Sequence, residues 1–273
     1  MPREKLNGVE IFYERSGSGP PVVLVHGSWG DHHNWDPVVP ALAREFSVVR
    51  YDRRGHSQSG PAPVPGSVSQ DVDDLLLLIE RLGLEQPVVI GNSFGAIVTL
   101  RTIARAPAAF RAIVVHEPPL TAMVANDPAT RGMIAETTRH FWEDIVSLLD
   151  AGRIEDGTRV FVETVAFGPG AWDILPQALK DTFINNALTW PDELRDPGWS
   201  RVDLDQLSRF DRPALVTDAT ESAPFFRPIV DRIAPSLPRA RRATYTGTGH
   251  VPHATHPEIY LPLVLDFLRE VHR

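Results

Sequence analysis

Three short segments of the chain combine glycine with a residue type that takes part in nucleophilic catalysis. They are GNSFG at residues 91–95, GTGH at residues 247–250 and HGSWG at residues 26–30. A serine hydroxyl becomes a nucleophile when a neutral imidazole accepts its proton, and backbone N–H groups stabilise the oxyanion that then forms. Together, the three segments predict acyl transfer through a serine.

The GNSFG segment lies between a strand-like run at residues 87–90 and a helical pattern that begins at about residue 96. A sharp turn from strand to helix exposes the serine, and glycine on either side tolerates the crowding of such a turn. The N-terminus of the helix also directs free backbone N–H groups toward a developing oxyanion. We therefore predict that Ser93 is the nucleophile and that the Phe94 N–H is one oxyanion donor.

The other two segments supply the remaining parts of this chemistry. His250 follows a strand-like run and precedes the last helix, where its imidazole can reach the serine across the carboxyl edge of a parallel sheet. An imidazole suits the role of general base because it titrates close to neutral pH. In the HGSWG segment, the backbone N–H of Ser28 is the predicted second oxyanion donor, and Trp29 is predicted to contact the substrate.

Valine-rich runs alternate with helical patterns along most of the chain, which predicts a parallel sheet covered by helices. The strand-like runs occupy residues 21–25, 46–51, 87–90, 113–115, 214–217 and 243–245, and the helical patterns occupy residues 68–82, 96–105, 225–233 and 257–271. Three prolines predict a loop at residues 60–67.

Residues 120–205 lack valine-rich runs and instead carry large apolar residues in helix-like patterns. We interpret this stretch as a helical cap that lies over the site and supplies apolar pocket walls. Residues 1–119 and 206–273 would then form the core domain.

The chain resembles the α/β-hydrolase superfamily. Ser93, His250 and the HGSWG segment occur in that superfamily's order, and DRRGHS at residues 52–57 is similar to its D-x-R-G-x-G-x-S segment, with the second glycine replaced. The resemblance implies an α/β protein with a mostly parallel, eight-stranded sheet that is flanked by helices, with the cap as an insertion.

The carboxylate of a catalytic triad has three candidates. In most of the superfamily it follows the seventh strand, where the count from Pro213 gives Ser222, which cannot serve as the acid. Asp218 and Glu221 flank that position. Glu117, after the sixth strand, stands where haloalkane dehalogenases and fungal zearalenone lactonases use a glutamate. The resemblance favours Glu117, with Asp218 or Glu221 as the alternative.

Composition limits the partners of the chain. Its 273 residues carry a formal net charge of −8, which disfavours nucleic acid and anionic membranes as partners. The chain has no cysteine, so a disulfide, a thiolate zinc site or a cysteine nucleophile is excluded. Its longest apolar run is too short to cross a bilayer, and its N-terminus lacks the apolar region of a signal peptide. We expect a cytoplasmic protein that acts on a small molecule. The sequence leaves open whether the chain forms a homo-oligomer.

No cofactor or metal is expected. The sequence has no phosphate- or dinucleotide-binding motif. His253 and His256 follow His250 at a spacing of three residues, but no cysteine or carboxylate cluster accompanies them, so they predict no metal site.

The resulting hypothesis is hydrolysis of a small hydrophobic carboxylic ester or lactone through an acyl-serine. Serine at residue 93 argues against haloalkane dehalogenase and epoxide hydrolase activity, because those branches of the superfamily place an aspartate there. The alternatives are a C–C bond hydrolase that acts on a diketone and a cofactor-free haloperoxidase or perhydrolase. Outside catalysis, the alternative is a small-molecule receptor on the same fold.

Overall fold

The computed structural model describes residues 2–61 and 66–273, and eight strands of these residues form one sheet. The strands are β1 (Arg3–Leu6), β2 (Val9–Ser16), β3 (Pro21–Val25), β4 (Ser47–Tyr51), β5 (Val88–Asn92), β6 (Ala112–His116), β7 (Ala214–Ala219) and β8 (Ala240–Tyr245). Their order in the sheet is β1-β2-β4-β3-β5-β6-β7-β8. The pairs β1–β2 and β2–β4 are antiparallel, and all other neighbours are parallel. The predicted mostly parallel, eight-stranded sheet is confirmed.

Helices cover the sheet. They are α1 (Val39–Leu42), α2 (Val68–Arg81), α3 (Phe94–Arg105), α4 (Arg131–His140), α5 (Ser147–Asp150), α6 (Ile154–Phe161), α7 (Ala171–Ile174), α8 (Gln177–Asn186), α9 (Thr189–Arg195), α10 (Leu204–Leu207), α11 (Phe226–Ile233), α12 (Pro252–Thr255) and α13 (Pro257–Val271). Short 3-10 turns occur at His32–Trp35, Pro107–Ala109, Thr121–Met123 and Ala234–Ser236. None of the described helices combines the length and the apolar character that crossing a membrane requires. Part of the predicted proline-rich loop, residues 62–65, lies outside the described residues.

The central strands are buried on both faces, which explains their unbroken valine-rich sequences. In β3, the side chains of Val23 and Val25 join the core beneath α2 and α3. Val22 and Leu24 point to the opposite face and join the core beneath α1 and α13. This alternation is the two-residue period of a strand, with an apolar layer on each side of the sheet.

Helix α2 begins at a capping box. The Ser67 hydroxyl accepts the backbone N–H of Gln70, and the Gln70 side chain accepts the backbone N–H of Ser67. From this helix, Asp71 binds Arg53 and Asp74 binds Arg54. These ion pairs hold the loop that follows β4 against α2.

Between β6 and β7, the described residues form helices only, as the sequence indicates for residues 120–205. Two π-helical turns, Phe141–Val146 and Val162–Ala166, extend α4 and α6. Such turns are rare and frequently occur at functional sites. The division of the chain into a core and a separate cap stays a prediction.

Candidate active site

Ser93 occupies the tight turn between β5 and α3. Its backbone has φ 56° and ψ −124°, a strained conformation for a residue other than glycine. Its N–H donates to the His116 carbonyl oxygen at 2.9 Å. A Cβ atom on Gly91 would lie 2.4 Å from the Gly95 carbonyl oxygen, and one on Gly95 would lie 2.2 Å from the Val25 carbonyl oxygen. Glycine is therefore required on both sides of the serine.

His250 is held by contacts from three directions. Its Nδ1 lies 2.7 Å from Glu117 Oε2, and the other oxygen of Glu117 accepts the Ala219 N–H at 2.8 Å. The Phe226 ring stacks on the imidazole with a centroid distance of 4.2 Å. The Asn92 side-chain amide donates to the His250 carbonyl oxygen at 3.0 Å, which ties the histidine loop to the end of β5. Sequence reasoning missed the roles of Asn92 and Phe226.

The three candidate acids lie in different surroundings. Glu117 is completely buried at the end of β6 and contacts His250. Asp218 is also buried, but both of its oxygens bind Arg242, at 2.6 and 2.8 Å. Burial would raise the pKa of Asp218, but the hydrogen bonds and charge of Arg242 hold it below its ordinary value. Glu221 is exposed to solvent. Of the three carboxylates, the structure brings Glu117 to the imidazole.

The charge of Glu117 depends on its histidine neighbours. Burial would raise its pKa, but His116 and His250 hold the pKa of the Glu117 carboxyl below its ordinary value. Burial lowers the pKa of His116 to about 4, and its Nδ1 lies 2.9 Å from the Thr217 hydroxyl. At neutral pH, Glu117 is therefore ionised beside a neutral His116.

The two predicted oxyanion donors flank the serine. Ser28 and Phe94 line the same cavity as Ser93. Their backbone N–H groups have no acceptor among the described residues. A Cβ atom on Gly27 would lie 2.9 Å from the Ser93 Cβ, so the absence of a side chain there lets the HGSWG segment approach the nucleophile. Both N–H groups are thus free to bind an oxyanion.

Ser93 lines a narrow cavity. Apart from Ser28 and Ser93, its lining is apolar, from Phe94, Pro119, Phe141, Phe161, Val165, Trp190, Leu194, Trp199, Phe225 and Phe226. Each π-helical turn contributes one of these residues. Trp29 lies behind this wall, because its buried ring stacks on Phe161 with a centroid distance of 4.5 Å. Its direct contact with a substrate stays a prediction.

A buried ion-pair network adjoins the HGSWG segment. Arg53 binds Asp71 of α2 and, at 2.7 Å, Glu193 of α9. The other oxygen of Glu193 accepts the Ser28 hydroxyl. Arg53 stands at the variable second position of the D-x-R-G-x-G-x-S pattern, so the sequence identifies neither Arg53 nor its partner Glu193.

Two clusters in the described residues place three potential metal-ligand atoms within 4.8 Å of one another. They are His116, Glu117 and His250, and Asp31, His32 and Asp52. In each cluster an imidazole Nδ1 lies 2.7 Å from a carboxylate oxygen, Glu117 in the first and Asp52 in the second. Hydrogen bonding accounts for both arrangements, so neither indicates a metal.

The comparisons with known proteins agree with the fold. A family model described as the alpha/beta hydrolase family matches residues 22–262. The chain belongs to the alpha/beta hydrolase family. Over 140 residues, 50% of its length, the chain is 34% identical to the uncharacterized hydrolase YraK of Bacillus subtilis (strain 168), of which the match covers 49%. The chain spans no more than about half the length of the curated relatives that it matches.

Two solved structures resemble this chain over nearly its whole length. An alpha/beta hydrolase from Sphaerobacter thermophilus is 28% identical with a TM-score of 0.76, over 98% of this chain and 100% of the other. An N-acyl homoserine lactone degrading enzyme is 19% identical with a TM-score of 0.77, over 97% and 100% of the two chains. At that identity, the second likeness shows the fold alone.

Proposed function

We propose that this hydrolase cleaves a carboxylic ester or lactone of a small hydrophobic compound through an acyl-serine at Ser93. The observation that carries the proposal is the hydrogen bond between His250 Nδ1 and the buried Glu117. The side chain of Asn92, next to the strained Ser93, binds the backbone of the same histidine. A rigid carboxylate at Nδ1 holds the imidazole in the tautomer whose Nε2 accepts a proton.

In the proposed reaction, His250 Nε2 takes the proton of Ser93 while Ser93 Oγ attacks the carbonyl carbon. The N–H groups of Ser28 and Phe94 stabilise the tetrahedral oxyanion. His250 then gives its proton to the leaving alcohol oxygen, and the carbonyl re-forms as an acyl-serine. A water that loses its proton to His250 then attacks the acyl carbon. The bond to Ser93 Oγ breaks, His250 returns its proton to that oxygen, and the carboxylic acid is released. Glu117 stays ionised throughout and stabilises the imidazolium.

The walls of the cavity suggest the kind of substrate. Apolar and aromatic residues form them, and the polar side-chain groups of the lining residues are the hydroxyls of Ser28 and Ser93 and the indole N–H groups of Trp190 and Trp199. No charged side chain lines the cavity among the described residues, so a charged acyl group would lose its hydration there without gaining an ionic partner. This supports an uncharged, hydrophobic ester or lactone. The fold accommodates lactone cleavage in the solved enzyme that degrades N-acyl homoserine lactones.

The proposal is tested by titrating the acid released from a panel of aryl esters, aliphatic esters, and small and large lactones. Ser93→Ala should abolish both turnover and covalent labelling by a fluorophosphonate. Ser147→Ala, which changes an exposed serine on α5, is the matched control and should behave as the wild type. Turnover or labelling that persists in Ser93→Ala would refute the proposed nucleophile.

Other outcomes separate the alternative functions. Cleavage of a vinylogous diketone without ester turnover would indicate a C–C bond hydrolase. Activity that depends on bromide and peroxide would indicate a perhydrolase. Tight binding of a small molecule without turnover would indicate a receptor.

A further inference from the structure

One buried ion pair contacts the side chains of both proposed oxyanion residues. It joins Arg53, in the loop after β4, to Glu193 of α9, with Arg53 Nη2 at 2.7 Å from Glu193 Oε1. The Ser28 hydroxyl donates to Glu193 Oε2. The guanidinium carbon of Arg53 lies 4.4 Å from the centroid of the Phe94 ring, a cation–π contact. The two residues that supply the N–H groups are thus held through a single pair of charges.

The ion pair is rigid because water is excluded from it. Arg53 is 1% exposed and Glu193 is 7% exposed. Arg53 is fixed from a second side by Asp71 of α2, at 3.1 Å from both Nε and Nη2. Removal of the Glu193 charge would leave Arg53 buried with one partner in place of two, and the Ser28 hydroxyl without its charged acceptor.

A second helix holds the same segment independently. Asn186, at the end of α8, donates to the carbonyl oxygens of Trp29 and Gly30, at 3.1 and 3.0 Å. Residues 28–30 therefore bind α8 and α9 at three successive positions. The conformation of the HGSWG segment depends on helices that lie between β6 and β7, far away in the sequence.

We propose that Glu193 is a positioning residue that, through Arg53 and Ser28, fixes the two backbone N–H groups for the oxyanion. The inference rests on the proposed function and deepens it. Oxyanion donors lower the barrier most when they are already oriented before charge develops, because no reorganisation then accompanies the reaction. The two N–H groups are consequently oriented for the oxyanion only while Glu193 of α9 binds the Ser28 hydroxyl.

The test compares Glu193→Gln, Ser28→Ala and the double variant in the full chain, with the best ester from the hydrolysis panel. Glu193→Gln should lower kcat by about tenfold or more, less than the loss of an entire oxyanion donor, with KM within about twofold of the wild type. An alkyl boronic acid, which forms a tetrahedral adduct with the serine, should lose affinity by the same factor. The double variant should have the same kcat as Glu193→Gln, because both substitutions disrupt the same hydrogen bond between Ser28 and Glu193.

The control is Arg195→Gln on the same helix. Arg195 forms an exposed ion pair with Asp150, at 2.8 and 2.9 Å, and its loss should leave kcat and boronic acid affinity unchanged. If Glu193→Gln fails to fold, the test depends on kcat and boronic acid affinity in Ser28→Ala. That substitution removes only the hydroxyl that donates to Glu193, and both quantities should still fall.

Unchanged kcat in the folded variants, or losses that add in the double variant, would overturn the inference while leaving the proposed function intact. A lower kcat with unchanged boronic acid affinity would also overturn it. A wild-type protein without turnover that depends on Ser93 would refute the proposed function, and the inference with it.

Discussion

Replacing Glu117 by glutamine separates the charge of this side chain from its shape. A glutamine has the same length, but it carries one oxygen and one NH2 group. The Ala219 N–H, which donates to Glu117 Oε1 at 2.8 Å, requires an acceptor at that position. The amide oxygen should therefore face Ala219, and the NH2 group should face His250 Nδ1.

Two N–H groups cannot face each other, so the proton of His250 would move to Nε2, which could then no longer accept the proton of Ser93. The opposite amide orientation keeps the active tautomer but leaves the buried Ala219 N–H unsatisfied, at a cost of about 1–3 kcal/mol. Loss of the carboxylate also removes an attraction to the imidazolium of about 4 kcal/mol, for charges about 4 Å apart at an effective dielectric constant of about 20. The sum, about 5–7 kcal/mol, corresponds to about a 10⁴-fold or greater loss in kcat.

The assay is the initial rate of ester hydrolysis, with circular dichroism to show that the variant is folded. Asp218→Asn is the matched control because it also removes a buried carboxylate. It should lower stability by about 1–3 kcal/mol through its lost hydrogen bonds to Arg242, with kcat nearly unchanged. Near-normal kcat in Glu117→Gln together with an inactive Asp218→Asn would refute the reasoning and assign the acid to β7.

Three further predictions concern access, acid stability and the approach to the serine. Val165 lines both the cavity at Ser93 and a second groove that includes Met133 and His140. Val165→Trp should therefore slow the labelling of Ser93 by a bulky phosphonate more than by a small one. Equal slowing of the two reagents would contradict this prediction. Burial holds the pKa of His253 well below 6.5, so the folded state binds fewer protons than the unfolded state, and stability is lost as the pH falls below 6.5. His253→Phe, which keeps an aromatic ring against Trp35, should reduce the loss of unfolding free energy between pH 7.5 and 5 by about 1–2 kcal/mol in urea titrations, and an unchanged loss would refute this. Gly27→Ala should cost about 1–3 kcal/mol of stability, and its methyl group should displace Ser93 and lower kcat, with an unchanged kcat as the opposing result.

The central strands could be predicted from the sequence because both of their faces are buried. The run at residues 21–25 matches β3 residue for residue, and the pattern at residues 257–271 matches α13. The edge hairpin of β1 and β2 was not predicted. Polar and charged side chains alternate there with apolar ones, since only part of an edge strand is covered, and no continuous apolar run marks it.

In the candidate site, too, local sequence motifs could be predicted, whereas contacts between residues far apart in the sequence could not. Ser93 and His250 could be predicted because each lies in a glycine-rich motif only four or five residues long. The Arg53–Glu193 pair joins residues 140 positions apart, and the bond from Asn92 to His250 joins residues 158 positions apart. No spacing in a single sequence marks such pairs, because the tertiary fold alone brings them together.

The replaced glycine of the DRRGHS motif also has a tertiary explanation. Ser57 stands at that position with φ 40°, a conformation that glycine adopts more easily. Its backbone N–H donates to Asn186 at 2.8 Å, and its hydroxyl donates to Asp31 at 2.9 Å. These bonds offset the strain and again join a core loop to α8.

The place of Glu117 at the end of β6 has a consequence for how this protein could be engineered. The connection after β7, residues 220–225, carries none of the proposed catalytic groups, yet it supplies Phe225 to the cavity wall. Ser222 interacts with Glu117, so it would be kept, and randomising residues 223–225 would reshape the cavity while the proton-transfer residues keep their immediate partners. The cavity wall at Phe225 follows β7, whereas the proposed acid Glu117 follows β6. Directed evolution could therefore vary the substrate range without replacing the acid.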